Sequence, residues 1–208
     1  MLIESFACGE MGANGYLLTD EATGECVVID PGAPDPNLMN ALAGKKKLCG
    51  ILLTHGHFDH IGGVHAIKKR FGSIAAVHQD DAPLLNDSSR NLSALFGREI
   101  RCGSAELTLH DGDVFRFGGQ AALTVLHTPG HSAGSVCYLW GKFILSGDTL
   151  FQNSVGRTDF PGSNPGLMAE SLRKLRCLPG DYRVLPGHGP ETTMEAERQN
   201  NLYFRNMT

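Results

Sequence analysis

The stretch Thr54-His55-Gly56-His57-Phe58-Asp59-His60 directly follows an apolar run at residues 49–53. Such a run indicates a buried strand, so the polar cluster lies where the strand leaves the sheet. Alternate side chains of an extended segment face the same way, so His55 and His57 can converge on one ion. Asp59 and His60 lie past the strand end and can point to a second spot nearby. A histidine-rich polar loop is the alternative, but three histidines and an aspartate at one strand exit argue against it.

Three later segments repeat the pattern of an apolar run, a glycine and a side chain that can bind a metal. The side chains are His131, Asp148 and His188. The glycine before each one lets the backbone bend tightly and approach an ion closely. Each segment alone is typical of an ordinary turn, but together with the first cluster they predict a metal centre. Imidazole and carboxylate ligands without cysteine suit zinc, iron or manganese.

Asp30 ends another predicted strand, before Pro31 and Gly32. Two interpretations are open: an ordinary turn residue, or a hydrogen-bond partner that orients a metal ligand. Four histidines outside the motifs are expected to have no ligand role: His65 as an ordinary helix residue, His78 and His110 at the surface, and His127 as a structural residue or one that orients a ligand.

The composition is that of a globular protein. The chain has 208 residues, 41% of them hydrophobic and 19% charged, with a formal net charge of −4 and a pI near 6.1. This length predicts a single domain over residues 1–208. The net negative charge does not indicate a nucleic-acid-binding surface. The first residues lack a signal-peptide pattern and no apolar stretch is long enough to span a bilayer, so we expect a cytoplasmic protein without membrane contact. The sequence leaves the oligomeric state open, and a monomer is compatible with it.

The order of predicted elements contains an internal repeat. A hairpin, a strand-end aspartate and a strand-end histidine occur over residues 15–55 and again over residues 136–188. A duplicated β/α half would explain this order and would bring both sets of strand ends to one cleft. Residues 79–104 show little pattern and are expected to form short helices and loops over the site. Helices are predicted at residues 36–44, 62–71, 167–177 and 191–203.

The motifs resemble those of the metallo-β-lactamase superfamily, whose signature is His-x-His-x-Asp-His followed by separate His, Asp and His. The match spans residues 14–190. The resemblance implies an α/β (α+β) fold: a four-layer αββα sandwich of two mixed sheets flanked by helices, with two divalent metal ions at one edge. Zinc is the expected metal, with iron or manganese as alternatives.

The resemblance also divides the ligands between the two ions. The first ion would be held by His55, His57 and His131, and the second by Asp59, His60 and His188. Asp148 would bridge both ions together with a hydroxide that acts as nucleophile. The catalytic side chains would be Asp59 and Asp148.

Within the superfamily the chain is most similar to glyoxalase II-like hydrolases, which act on small acylglutathione thioesters such as S-D-lactoylglutathione. Three further residues are candidates for the substrate pocket or its loop: Arg157, Tyr16 and Phe151. For the two aromatic residues a position in the core is the alternative. An ion pair between Arg157 and Asp159 that shapes the loop is the favoured interpretation, and contact of Arg157 with an anionic substrate is the alternative. Full-length glyoxalase II enzymes hold glutathione with a C-terminal helical extension, but this chain ends 20 residues after His188. A thioester of another thiol is therefore an alternative substrate.

Other functions on the same fold are also open. Persulfide dioxygenases, which use one iron, resemble the segment at residues 156–160, and a lactone or ester hydrolase would use the same ligands. A β-lactamase is disfavoured because the chain lacks an export signal and carries Asp148 where one major class has cysteine. A non-catalytic metal-binding module is least favoured because such modules usually lose ligands.

Overall fold

Two six-stranded sheets form the centre of the computed structural model, which describes residues 1–205. The strands of the first sheet, in both chain order and spatial order, are β1 (Leu2–Cys8), β2 (Ala13–Thr19), β3 (Glu25–Ile29), β4 (Lys47–Leu52), β5 (Ala75–His78) and β6 (Leu107–Leu109). Those of the second sheet are β7 (Val114–Phe117), β8 (Ala121–His127), β9 (Val136–Trp140), β10 (Phe143–Gly147), β13 (Arg183–Pro186) and β14 (Thr192–Thr193), with β11 (Leu150–Phe151) and β12 (Ser154–Val155) forming a separate hairpin.

Helices cover the outer face of each sheet. Those on the first sheet are α1 (Pro36–Ala43), α2 (Phe58–Ile61) and α3 (Val64–Phe71), and those on the second are α4 (Pro165–Arg176), α5 (Met194–Asn200) and α6 (Leu202–Arg205). The predicted first helix is present, because the Asp35 side chain accepts hydrogen bonds from the N–H groups of Asn37 and Leu38 and Gly44 ends it. Two 3-10 helices, Ala82–Asn86 and Ser93–Phe96, occupy the segment where short helices were expected.

Strand alternation divides the apolar side chains among three layers of core. On β3, Val27 and Ile29 pack between the two sheets, whereas Val28 packs outward beneath the helices. On β10, Leu145 faces the space between the sheets and Ile144 faces the helices of the second sheet. This period of two is what a sheet covered on both faces requires. The predicted αββα sandwich is confirmed.

The internal repeat in the sequence corresponds to a repeated pattern of strand pairing in the two sheets. In the first sheet β2 pairs antiparallel with β3, and β3 pairs parallel with β4. In the second sheet β9 pairs antiparallel with β10, and β10 pairs parallel with β13. Because parallel neighbours end at the same edge, each sheet sends two adjacent strand ends to one side of the molecule.

The predicted closing helix at 191–203 is wrong in its detail. Residues 192–193 extend the second sheet as β14, and the helix is broken at Asn201. Asn201 has extended backbone angles (φ −72°, ψ 118°), and its side chain donates to Glu197 Oε2 at 2.8 Å and to the Ser154 carbonyl at 3.1 Å. These side-chain bonds compete with helix continuation.

Two buried tyrosines connect the sheets at matching positions of the repeat. Tyr138 on β9 donates to the Leu53 carbonyl at 2.7 Å, and Tyr16 on β2 donates to the Pro186 carbonyl at 2.7 Å. Each carbonyl lies just before a predicted ligand, His55 or His188. Tyr16 was expected at the pocket, but only 3% of it is exposed. That expectation is wrong because its hydroxyl is used between the sheets.

Replacing Tyr138 with Phe should lower the free energy of unfolding by about 1–3 kcal/mol, because the buried Leu53 carbonyl loses its donor. Urea unfolding followed by circular dichroism measures the change. Tyr203→Phe is the matched control, since that side chain is 51% exposed. Equal stability of the two variants would contradict a role for Tyr138 in joining the sheets.

Candidate metal centre

The structure brings the seven predicted ligands to one edge of the sandwich. Each is carried past the end of a strand, or lies in the short helix α2 that follows β4. Five of them are buried, and Asp59 and His188 are half-buried. The seven side chains are His55, His57, Asp59, His60, His131, Asp148 and His188.

Two groups of predicted ligands are compact: within each group, the ligand atoms all lie within 4.8 Å of one another. The first is His55, His57 and His131, with His57 Nδ1 at 2.9 Å from His131 Nε2. The second contains Asp59, His60 and His188. The members of these two groups are those of the two sets that the resemblance implies. A further group, Asp30, His55 and His60, takes one histidine from each set.

Asp148 lies between the two groups. Its Oδ1 is 3.4 Å from His60 Nε2, and its Oδ2 is 3.5 Å from His131 Nε2 and 3.7 Å from His188 Nε2. One carboxylate therefore faces a histidine of the first group and two histidines of the second.

The chemistry of the donor set fits divalent cations. Buried side-chain atoms normally have a hydrogen-bond partner. Four such atoms in the described part of the chain have none, and three of them are His55 Nε2, His60 Nε2 and Asp148 Oδ1. These atoms lie in the same cluster, and a cation there would use their lone pairs. Nitrogen and oxygen ligands without sulfur do not distinguish zinc, iron and manganese.

The electrostatics favour neutral imidazoles at His55 and His57 and positive charge at His60. Burial lowers the pKa of His57 to about 3, with a further contribution from His131, and burial and neighbouring histidines hold the pKa of His55 well below its usual value. Burial opposes the charged form of His60, but Asp148, Asp59 and Asp30 raise its pKa well above the ordinary value. The same carboxylates would favour a metal cation, which competes with the proton for this nitrogen.

Hydrogen bonds to the far ring nitrogens orient two of the histidines. His60 Nδ1 lies 3.0 Å from Asp30 Oδ2, and His131 Nδ1 lies 2.9 Å from the Arg157 carbonyl. Asp30 also accepts from the Thr54 N–H at 2.7 Å, next to His55. The structure thus supports the second interpretation of Asp30, a partner that orients a ligand.

Gly187 is required by the close packing of the site. A Cβ atom at this position would lie 2.2 Å from Asp148 Oδ1 and 2.8 Å from His60 Cε1. The glycine before His188 therefore serves close approach of the backbone to other ligands, in addition to permitting a turn.

Asp81 is a buried residue of the site that sequence reasoning missed. Its carboxylate accepts from the N–H groups of Gly56 at 2.8 Å and Gly134 at 2.7 Å, and from Ser132 Oγ at 2.7 Å. Gly56 separates two ligands of the first group and Ser132 follows the third, so Asp81 connects both ligand loops. In the sequence it precedes Ala-Pro and resembles a turn residue; no local signal reveals its burial.

Arg157 and Phe151 lie at the opening of the site. The Arg157 guanidinium donates to both carboxylate oxygens of Asp159, at 2.9 and 2.8 Å, and lies 4.2 Å from the centre of the Phe160 ring. This is the predicted ion pair. Phe151 lines a cavity of about 260 Å³ above the ligands, together with Phe96 and Phe160.

A second histidine cluster lies away from this centre. His78 was expected at the surface, which is wrong: it is 3% exposed and stacks on His127 with ring centres 4.0 Å apart and planes 12° from parallel. Asp80 lies beside them. Because imidazole lone pairs lie in the ring plane, two stacked parallel rings cannot both direct them at one ion. His110 is exposed, as predicted.

Comparison with known proteins identifies relatives over nearly the whole chain. The family model described as "Metallo-beta-lactamase superfamily" matches residues 8–188. A probable metallo-hydrolase, YqgX of Bacillus subtilis, is 37% identical over 94% of this chain and 94% of the relative. A hydroxyacylglutathione hydrolase of Bradyrhizobium is 35% identical over 84% of this chain but only 61% of that protein.

Solved structures show the same architecture. BLEG-1 B3 metallo-beta-lactamase has a TM-score of 0.91 at 34% identity, covering 98% of this chain and 99% of the other. TTHA1623 in a di-iron-bound form has a TM-score of 0.82 at 36% identity, covering 96% and 99%. ETHE1 from Myxococcus xanthus has a TM-score of 0.81 at 29% identity, covering 97% and 84%.

None of the helices in residues 1–205 combines the length and apolar character needed to cross a bilayer. The family model covers most of the chain, the relatives include metallo-hydrolases, and the fold and the ligand cluster agree with both. The chain belongs to the metallo-β-lactamase superfamily.

Proposed function

We propose that this chain is a binuclear metal-dependent hydrolase of thioesters. The observation that carries the proposal is the position of Asp148 between two groups of ligand atoms, with three buried polar atoms that no protein group satisfies. In this proposal His55, His57 and His131 hold one ion. Asp59, His60 and His188 hold the other, and Asp148 contacts both.

Bound divalent cations would supply a water of lowered pKa and would polarise a substrate carbonyl. The side chains keep the cations in place and balance their charge. Burial opposes ionisation of Asp148, yet His60, His131 and His188 hold its pKa well below the ordinary value, so it stays a carboxylate. Asp59 is held in the charged form by His60 and His188 in the same way.

No side-chain nucleophile is needed for this chemistry. Ser132, next to a ligand, is buried and donates to Asp81, with Ser135 Oγ at 2.7 Å. Its hydroxyl is therefore used in the structure. Hydrolysis then requires that water adds to the thioester carbonyl carbon and that the C–S bond breaks with release of a thiolate.

S-D-lactoylglutathione is the first substrate to test. The resemblance to glyoxalase II-like hydrolases and the similarity to a hydroxyacylglutathione hydrolase support it. Zinc is the expected metal, and the similarity to a di-iron-bound structure makes iron the main alternative.

An iron-dependent persulfide dioxygenase is the second candidate. The segment at residues 156–160 resembles that class, and ETHE1 is similar in fold and sequence. The similarity to BLEG-1 also places a β-lactam among the compounds to test. Elemental analysis combined with assays on S-D-lactoylglutathione, a lactone, a β-lactam and glutathione persulfide with oxygen uptake separates these activities. Oxygen-dependent turnover of the persulfide without thioester hydrolysis would contradict the proposal.

Asp148→Ala should remove both metal and thioesterase activity, because both groups lose the carboxylate that they share. Metal content per chain is measured by elemental analysis beside hydrolysis rate. Asp80→Ala, at an exposed position, is the control and should retain both. Retention of two metal ions by the Asp148 variant would refute the bridging role.

Asp81→Ala should weaken metal binding by about 10–100-fold, the usual effect of removing a group that orients ligands. The reason is that Gly56, Ser132 and Gly134 lose their shared acceptor. Competition with a chelator measures the affinity, and circular dichroism verifies folding. A folded Asp81 variant with the metal affinity of Asp80→Ala would show that the two ligand loops hold their positions without it.

A further inference from the structure

Asn14, in β2 of the first sheet, contacts the loop of the second sheet that carries His188. Its backbone N–H donates to the Gly187 carbonyl at 2.7 Å. Its side-chain amide donates to the Pro186 carbonyl at 3.0 Å and to the Gly189 carbonyl at 2.9 Å. One residue of the first sheet therefore binds carbonyls on both sides of a predicted ligand that the second sheet supplies.

The corresponding loop of the first half is held differently. There the Val136 N–H donates to the Thr54 carbonyl, just before His55, at 2.8 Å. This bond matches the one from the Asn14 N–H, since Val136 and Asn14 each lie two residues before the tyrosine that connects the sheets. The side chain of Val136 is apolar and cannot donate. The two bonds of the Asn14 amide are therefore specific to the second half of the repeat.

The strand-end aspartates show why the second half needs such bonds. In the first half, Asp30 accepts from both the N–H and the hydroxyl of Thr54 and so supports the loop. In the second half, Asp148 instead faces histidines of both ligand groups. The Gly187 N–H donates to the Gly147 carbonyl at 2.8 Å, not to a carboxylate. The Asn14 amide supplies the side-chain support that Asp148 does not give.

The position of His188 depends on its loop because little else holds the ring. The rings of His60 and His131 are oriented by bonds to their Nδ1 atoms, but within residues 1–205 the hydrogen bond of His188 is to its Nε2, from which Asp59 Oδ2 lies 3.2 Å away. The His188 side chain is also 28% exposed, against 0% for His60 and 5% for His131. Surrounding side chains therefore constrain it less.

We propose that Asn14 is a positioning residue for one of the two metal ions, the one assigned to Asp59, His60 and His188. Its amide fixes the loop so that His188 Nε2 stays beside Asp59 and Asp148, at 3.2 and 3.7 Å. The inference rests on the binuclear centre of the proposed function. Loss of the amide should weaken binding of this ion by about 10–100-fold, as is usual for groups that orient ligands, and should spare the other ion.

Asn14→Ala is expected to fold, because the groups that it leaves behind keep partners. The Pro186 carbonyl still accepts from the Tyr16 hydroxyl at 2.7 Å. Gly189 is exposed, so water can replace the bond to its carbonyl. The bond from the Asn14 backbone N–H to Gly187 does not involve the side chain. The variant therefore changes the restraint on the loop more than the packing of the sheets.

The test is a titration of the metal-free protein with Co²⁺, followed by visible absorption and elemental analysis. The wild type should bind two ions per chain, and His131→Ala and His188→Ala identify the absorption of each ion. Asn14→Ala should weaken only the step that His188→Ala removes. Asn14→Ser keeps one hydroxyl donor and should lose less affinity. Asn37→Ala is the matched control, because this asparagine is exposed on α1, and it should bind both ions like the wild type.

The outcomes separate this inference from the thioesterase proposal. Equal weakening of both steps in Asn14→Ala, or of neither, refutes the role of Asn14; Asn14→Ser gives the same comparison if the alanine variant does not fold. A selective loss of one step in a protein whose wild type binds two ions but hydrolyses no thioester refutes the thioesterase proposal and leaves the role of Asn14 intact. One ion per chain in the wild type at saturating Co²⁺ refutes both.

Discussion

The site depends on one constraint: several buried nitrogen and oxygen atoms of its side chains have no hydrogen-bond partner in the described part of the protein. Unpaired buried nitrogen and oxygen atoms cost free energy, and a folded protein normally satisfies them. Here His55 Nε2, His60 Nε2 and Asp148 Oδ1 meet in one place. The far side of His60 is bonded to Asp30, so its ring is oriented for a ligand on the near side. A divalent cation bound there would satisfy these atoms.

The repeated sheet pattern explains how distant residues meet there. Adjacent parallel strands end together, so the pairs β3–β4 and β10–β13 each bring two loops to the same edge. The buried hydroxyls of Tyr16 and Tyr138 then hold the two sheets in register close to those ends. The ligand loops are short continuations of rigid strands, which is the arrangement that precise metal coordination requires.

The strand ends and the candidate ligands could be recognised in the sequence because glycine, histidine and aspartate after apolar runs are local signals. The αββα layers followed from the resemblance of those motifs to a known superfamily and were confirmed. Asp81, Tyr16 and His78 were not predictable in the same way. Their environments are set by partners 51, 170 and about 50 residues away, and a single sequence contains no signal for such pairs. The break at Asn201 likewise depends on a contact with Ser154.

The metal ligands and the walls of the cavity above them are under different structural constraints. Metal ligands have to keep fixed distances, and strand ends, buried hydrogen bonds and close glycine contacts provide this. The walls of the cavity above the ligands are under a different constraint, and part of them comes from the 79–104 segment, whose regular structure is limited to two 3-10 helices. Asn91 ties that segment to the ligand loop through Phe58, so it can vary in its exposed side chains while its backbone stays in place. The chemistry and the substrate preference can therefore change independently, because different residues with different structural constraints determine them.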